Sequence, residues 1–368
     1  MIFSVLTYVA LMGCAGAQVD SRPTGAPDRS AELAEETRAV IRADPTIPSI
    51  LSQTAFANGV RWNATTGAAD ASNQPFRIAS VAKLMTAAVV LGLVEEKRIV
   101  LDQPATAYLP PATMNGLCVV NGVDRSSEIT VRQLLAHRSG LADYFFDGPA
   151  DSGLTPFLNL LASSPDRMWS PGEPVQWVRD NLPAISAPGT TFHYSDTNYQ
   201  LLGLIIQRVT GRPLATVYRE KLFVPAQMKA TYLEWHENPV SPDKPLPMNL
   251  GPINLDTWRS LSSDWGGGGI VSTLDDVARF LRALFAGRFF RQASTLGLMQ
   301  PAKGEEYGLG MQRVSVGGRT LLGHEGAYGV WAFYDPQWQV TFVGSVNQVT
   351  AEESAQRMLE RQVSLVRP

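Results

Sequence analysis

Ser80-Val81-Ala82-Lys83 stands at the head of a run, Leu84 to Val94, that only Thr86 makes polar. Residues three apart on a helix share a face, so a lysine amine at that spacing reaches the serine hydroxyl. A helix start adds backbone N–H groups and the positive end of the dipole, both of which favour a developing oxyanion. A nucleophilic serine needs a neighbouring base, and a desolvated lysine can serve. The pattern recurs at Ser241-Pro242-Asp243-Lys244, in a Pro-rich stretch with no apolar helix behind it, so context selects Ser80. The chain has 6 lysines against 25 arginines, and Lys83 is the first of them. A charge on a buried helix needs a chemical reason.

Two further groups have the right chemistry. Tyr194-Ser195-Asp196 precedes a helical pattern, and a tyrosine there could shuttle a proton between nucleophile and leaving group. The plainer reading is that Asp196 or Thr197 caps the helix while Tyr194 packs. Gly323-His324-Glu325-Gly326 ends one strand pattern before the next begins at Val330. An edge strand beside a nucleophile can donate a backbone N–H to an oxyanion, although a histidine in such a turn is more often structural.

The elements that must hold these groups follow from periodicity. Ser30 is placed to cap a helix from Ala31 to about Ala43, and a buried helix runs from near Ser80 through Val94. Val131–Ala136 is short and helical. Leu201, Leu202, Ile205, Ile206 and Val209 define a helix over 199–209 that Gly211 stops. Residues 238–252 form a Pro-rich loop, and Thr273 opens another helix. Beyond residue 305 the period changes: 307–316, 319–323, 330–334 and 340–345 are strands with turns at Gly317-Gly318 and Asp335-Pro336, before a last helix from Ala351 to about Val366. The expected fold is α/β (α+β): an antiparallel sheet flanked by the N- and C-terminal helices, with a mainly helical lobe inserted. One catalytic domain over 30–368 is expected, its α/β lobe being about 30–79 and 263–368 and its helical lobe about 80–262.

The order S-x-x-K, Y-S-D, H-x-G resembles the serine β-lactamase and D,D-peptidase superfamily, in particular its D-alanyl-D-alanine carboxypeptidase and class C β-lactamase branch. The likeness extends through Ile129–Leu141, Pro188-Gly189, Tyr194–Gly211 and Gly267–Leu281. It implies a β-lactamase/transpeptidase-like fold and an acyl-enzyme on Ser80. Lys83 would be the base or proton partner, Tyr194 the second acid/base group, and His324 would stand where relatives often carry lysine. The oxyanion hole would be the amides of Ser80 and Ala327, and water would release the acyl group with neither metal nor cofactor. Carboxypeptidase, β-lactamase, D-amino-acid amidase and esterase all share that framework.

Two positions depart from the pattern. Asp196 replaces a common asparagine whose amide binds the substrate carbonyl; an ionised carboxylate cannot donate and would favour a protonated Lys83, leaving Tyr194 as the base. Glu325 replaces a Thr or Ser that binds the substrate carboxylate. If Glu325 faces the cleft it should repel penicillins and favour neutral or cationic amides and esters. The alternative is that it points away. Gly326 completes the H-x-G element, and Tyr144 and Trp331 are aromatic candidates for the cleft rim.

The 368 residues are 45% hydrophobic and 18% charged, with a formal charge of −3 and no basic cluster, so nothing suggests nucleic acid as a partner. The expected partner is a small-molecule or peptide substrate and the expected state a monomer. Ile2–Met12 is apolar, too short for a membrane span, and has the shape of a signal peptide over 1–17, followed by a linker over 18–29. Ala15-Gly16-Ala17 is a cleavage pattern, and Leu11-Met12-Gly13-Cys14 resembles a lipobox in which Cys14 would carry a lipid anchor. A periplasmic, secreted or membrane-anchored location is therefore expected. With Cys14 removed or modified, Cys118 is a lone thiol in packed apolar chain. There is no G-x-S-x-G elbow and no H-E-x-x-H, because Val240 and Tyr328 occupy the second histidine positions. The Gly266–Gly269 run lacks the residues of a phosphate loop and reads as a close-approach turn. The rival of another class is a catalytically silent cell-wall or partner-binding protein that keeps the fold.

Overall fold

The computed structural model describes residues 27–69, 73–150, 154–240 and 242–366. The expected leader, its cleavage sites, Cys14 and Ser241 of the second S-x-x-K lie outside them. In chain order the elements that frame the site are α1 (Ser30–Ala43), β1 (Ser49–Ala55), β2 (Arg61–Gly67), α2 (Ala82–Glu95), α3 (Asp196–Thr210), α4 (Leu274–Phe285), β3 (Gln312–Val316), β4 (Arg319–Gly326), β5 (Val330–Asp335), β6 (Val340–Ser345) and α5 (Glu352–Leu365). The six strands form one antiparallel sheet in the order β3-β4-β5-β6-β1-β2. The first two strands thus add to the meander of the last four, so the sheet closes only when both chain ends meet.

One face of the sheet is covered by α1 and α5, where Leu33, Val40, Met358, Leu359 and Val363 pack with Trp62, Trp331 and Phe333. A second, larger core joins Ala332 and Val343 of the other face to α2, α3 and α4. Helix α2 is buried on nearly all sides, as its apolar run requires. Each fully buried Leu or Val contributes about 1.5–3 kcal/mol, which offsets the cost of taking Lys83 into the interior with them.

Several boundaries differ from the pattern-based expectation. Ser30 lies inside α1 and caps nothing; its hydroxyl donates to Asp28 (2.6 Å) and accepts from the Asn63 amide (3.1 Å). Helix α3 starts at Asp196, three residues earlier than the apolar spacing marks, and ends at Gly211 with φ +71°. β4 runs through Gly326, so the H-x-G element is strand rather than turn. β1 carries no alternation, whereas β2 alternates from Arg61 to Thr65, with Trp62 and Ala64 buried between more exposed neighbours. Ser49, Ser52, Gln53 and Thr54 are all buried in β1, and Gln53 donates to Asn63 (3.0 Å) and Asp275 (2.8 Å). Thr273 does cap α4, accepting from the Asp276 amide at 3.3 Å.

Candidate active site

Ser80 sits in the 3₁₀ turn Ala79–Val81 that leads into α2. Ala79, just before it, has φ +45°, a conformation that costs an L-residue energy and survives where packing enforces it. The enforcing neighbour is β4. A Cβ on Gly326 would lie 2.8 Å from Ile78 O and 3.0 Å from Ala79 Cβ, so only glycine lets the strand end approach the serine turn. The β3–β4 ladder stops at Gln312↔Gly323, so His324–Gly326 extends past its edge neighbour beside Ser80. Gly326 and Ala327 are thereby set next to the nucleophile turn.

Lys83 is fully buried, and its three N–H donors are all used: to Ser80 Oγ (2.8 Å), to Gly267 O (3.0 Å) and to the Asp196 carboxylate. Burial alone would push the ammonium down. The charge of Asp196 outweighs it and holds Lys83 above its ordinary value. At neutral pH Lys83 is therefore a charged donor and not a free base. Tyr194 interacts with both Ser80 and Lys83, with the ammonium 5.1 Å from its ring centre. Burial pushes its phenol up, with Lys83 opposing, so the resting tyrosine is neutral.

Beside Tyr194 lies a group only partly visible in the sequence. His137, at φ +53°, stacks on the Tyr194 ring with centroids 4.2 Å apart. Its Nδ1 accepts from the Ser195 amide (3.0 Å), which places the ring proton on Nε2, 3.1 Å from the Tyr307 hydroxyl. His324 Nδ1 lies 2.6 Å from Glu325 O, an acceptor only, so His324 carries its proton there. Its Nε2 then accepts from the Tyr307 hydroxyl at 3.0 Å. Burial, and next the Lys83 charge, push His324 down to about 3. The result is a one-way chain, His137 to Tyr307 to His324, and both nitrogens of His324 are engaged within the protein.

The structure thus brings together Ser80, Lys83, Tyr194, Asp196 and His324, with Gly326 and Ala327 at the adjoining strand end. Position in the motif groups Asp196 with the substrate-binding residues, but its carboxylate is turned to Lys83 as its counter-ion. That agrees with the expectation that its charge favours a protonated Lys83. Two aromatic expectations are corrected, and the open question of which way Glu325 points is decided. Tyr144 is completely buried, donating to Ser263 O (3.1 Å), and is not on a cleft rim. Trp331 is 1% exposed, its indole donating to Gln362 Oε1 (2.6 Å) beneath α5. Glu325 is the cross-strand neighbour of Trp331, and such neighbours share a face. Its side chain therefore lies on the α5 side, with Glu352 as a charged neighbour, while His324 points inward. The proposed repulsion of carboxylate substrates by Glu325 loses its geometric basis. Glu325→Thr should change β-lactam acylation by no more than about twofold, measured by stopped-flow with a chromogenic cephalosporin. A gain of tenfold would place the carboxylate in the cleft.

No motif in the sequence marks Tyr307, His137, Asp143 or Asp264 as site residues. Asp143 Oδ2 accepts from the Asp196 amide (3.0 Å), fixing the start of α3. The available signal was a scatter of titratable residues inside otherwise apolar segments. Cys118 is buried, and burial pushes its thiol up to about 11, in keeping with a packing role. Lys244 of the second S-x-x-K is exposed.

A serine and a buried, charge-paired lysine at a helix start, set against the free end of an antiparallel strand, define the architecture of the serine β-lactamases and D,D-peptidases. The family described as Beta-lactamase matches residues 52–367, and the chain belongs to that family. A D-aminopeptidase of Brucella anthropi is 30% identical over 267 residues, covering 69% of this chain and 45% of the relative. A D-aminopeptidase of Brucella canis is 28% identical, again over 69% and 45%. The chain thus spans about half the length of the curated relatives it matches. Among solved structures, a D-stereospecific amidohydrolase from Streptomyces sp. superposes with TM-score 0.78 at 27% identity, covering 91% of this chain and 98% of the other. The D-amino acid amidase of Ochrobactrum anthropi SV3 shares the fold, with TM-score 0.72 at 24% identity over 90% and 98%.

Proposed function

We propose that the chain hydrolyses amide bonds of D-amino-acid derivatives through an acyl-enzyme on Ser80. The observation that carries this is the Ser80 hydroxyl held at 2.8 Å by a lysine whose charge Asp196 fixes. The names of the D-aminopeptidases and of the Streptomyces amidohydrolase support the substrate class. With Lys83 charged and Tyr194 neutral, the proton route that balances is a shuttle. Ser80 Oγ attacks the amide carbon while its proton passes to Tyr194 Oη, and the phenol's own proton passes to the leaving nitrogen. Lys83 keeps its three protons and stabilises the developing negative charge on Oγ and Oη. The amides of Ser80 and Ala327 would receive the carbonyl oxygen. Water then repeats the path in reverse, its proton going to Tyr194 and that of Tyr194 returning to Ser80.

The test is a fluorophosphonate serine probe together with a substrate panel. The panel comprises D- and L-aminoacyl p-nitroanilides, a D-Ala-D-Ala peptide, p-nitrophenyl acetate and a chromogenic cephalosporin. The expected result is an adduct on the Ser80 peptide and the highest kcat/KM for a D-aminoacyl amide. An inert Ser80 with no turnover of any acyl donor would overturn the proposal and favour a binding protein that keeps the fold.

A further inference from the structure

The second half of α2 is not fully covered. Ala88, Val89 and Gly92 of that helix line a depression of about 200 Å³, with Leu222 and Phe289 completing its apolar surface. Gly92 lies about 14 Å from Lys83 along the helix axis, so the depression is separate from the Ser80 site. Gly92 also keeps it open. A Cβ there would meet nothing within 4 Å, although glycine inside a helix costs stability relative to alanine.

The charged side chains around this surface are unequally matched. Glu95 accepts from the Arg291 and Gln292 amides (2.7 and 3.1 Å) and from the Thr295 hydroxyl. Burial would raise its carboxyl, but those three hydrogen bonds hold it below its ordinary value, the Arg291 charge adding least. Glu96 pairs with Lys221 at 2.6 Å. Arg288 and Arg291 line the same depression, and among the described residues neither guanidinium has an ion pair or a hydrogen bond. Two free cations therefore border an apolar hollow whose carboxylates are already held.

We propose that this depression binds a small amphipathic carboxylate, with its apolar body against α2 and its carboxylate on Arg288 and Arg291. The planar guanidinium fork suits a carboxylate in two-point contact. An apolar hollow of about 150 Å³ takes a benzene ring, so this one has room for a single ring with a short acid arm. The site does not depend on the chemistry at Ser80.

The experiment follows 4-fluorophenylacetate by fluorine-19 line broadening on the full chain. The controls are 4-fluorobenzyl alcohol, which lacks the charge, and acetate and inorganic phosphate, which lack the body. Wild type should bind the acid with a Kd of about 1 mM, ordinary for a ligand of about ten heavy atoms. The alcohol should bind about 10-fold more weakly, and acetate and phosphate should displace the acid only at about 10-fold higher concentration. Gly92→Leu fills the hollow and improves helix propensity, so it should weaken the acid about 10-fold or more without lowering the urea midpoint. Arg288→Gln/Arg291→Gln should weaken the acid about 10-fold and leave the alcohol within about twofold. Unchanged affinity in Gly92→Leu would put the acid elsewhere, the Ser80 cleft included, and overturn the proposal. So would phosphate that competes as well as the acid, because charge alone would then select the ligand. Absence of saturable binding by wild type up to about 20 mM would overturn it without any variant.

Discussion

Lys83→Met should lower kcat/KM on the order of 10⁴-fold and at the same time destabilise the fold. The catalytic loss follows from geometry: the ammonium is the group that holds Ser80 Oγ and faces the charge that develops there. The stability loss follows from burial, because methionine fills the space of the lysine stem but leaves the Asp196 carboxylate unpaired at 3% exposure. Breaking a buried pair from one side costs about 3–5 kcal/mol. The double variant Lys83→Met/Asp196→Asn separates the two effects. Replacing both charges removes the unpaired ion, so the urea midpoint should return most of the way to wild type while activity stays absent. Equal stability of the single variant and wild type would mean that Asp196 finds another partner or a proton, and the pairing described above would be wrong. The pH range matters for this measurement. Asp196 raises Lys83 above its unfolded value, so the pair's contribution is complete below the ordinary lysine range near 10.4. It is lost only as pH climbs through the raised value. Between pH 6 and 9 this pair should add no slope to stability.

That pair also marks what the sequence discloses and what it does not. The S-x-x-K spacing, the apolar run behind it and the Tyr194 and H-x-G elements are local patterns with few physical readings, and the structure assembles them around Ser80. The C-terminal strands are legible from period and turn residues, to within a few positions. β1 is not, because a strand buried on both faces with Ser49, Ser52, Gln53 and Thr54 inside breaks the apolar alternation that marks strands. Three of these side chains find partners that no local window contains: Ser49 accepts from Asn347, Gln53 donates to Asn63 and Asp275, and Thr54 accepts from Gln362. Tyr144 and Trp331 depart from the expected cleft rim for a related reason. Tyr144 and Trp331 each have one polar atom, and each satisfies it inside the core, so aromatic character alone does not put a residue at a cleft. Glu325 was ambiguous until β4 was seen to be strand through Gly326, which sends alternate side chains to opposite faces. The glycine run was legible as a close approach, but two of the groups that approach it, the Asp196 carboxylate and the Tyr199 carbonyl, come from residues some 70 positions away.

The Tyr307 hydroxyl has the longest reach of these hidden contacts, joining His137 from 170 residues away to His324. Tyr307→Phe keeps the ring and removes one oxygen, yet it should be among the costlier single-atom changes in the molecule. The His137 Nε2–H would lose its acceptor and the His324 Nε2 lone pair its donor, with both side chains at 1% exposure or less. Neither ring can turn to recover a partner, because Ser195 N–H and Glu325 O hold the opposite nitrogens. An unsatisfied buried group costs about 1–3 kcal/mol, and two are created. Chemical denaturation should register the sum. Activity should fall by about 10-fold in kcat with KM little changed, since Tyr194 rests on the His137 ring and small displacements of a proton-shuttling group are costly. The histidines also set a pH signature. His324, pushed from its ordinary 6.5 down to about 3, stays neutral in the fold while it protonates in the unfolded chain. Its contribution is present above pH 6.5 and lost as pH falls from there toward 3. Nitrogen-15 spectra of wild type should accordingly show His324 protonated on Nδ1 and His137 on Nε2, with neither titrating between pH 5 and 9. A His324 that titrates near 6.5, or a Tyr307→Phe variant as stable as wild type, would break the chain from His137 to His324.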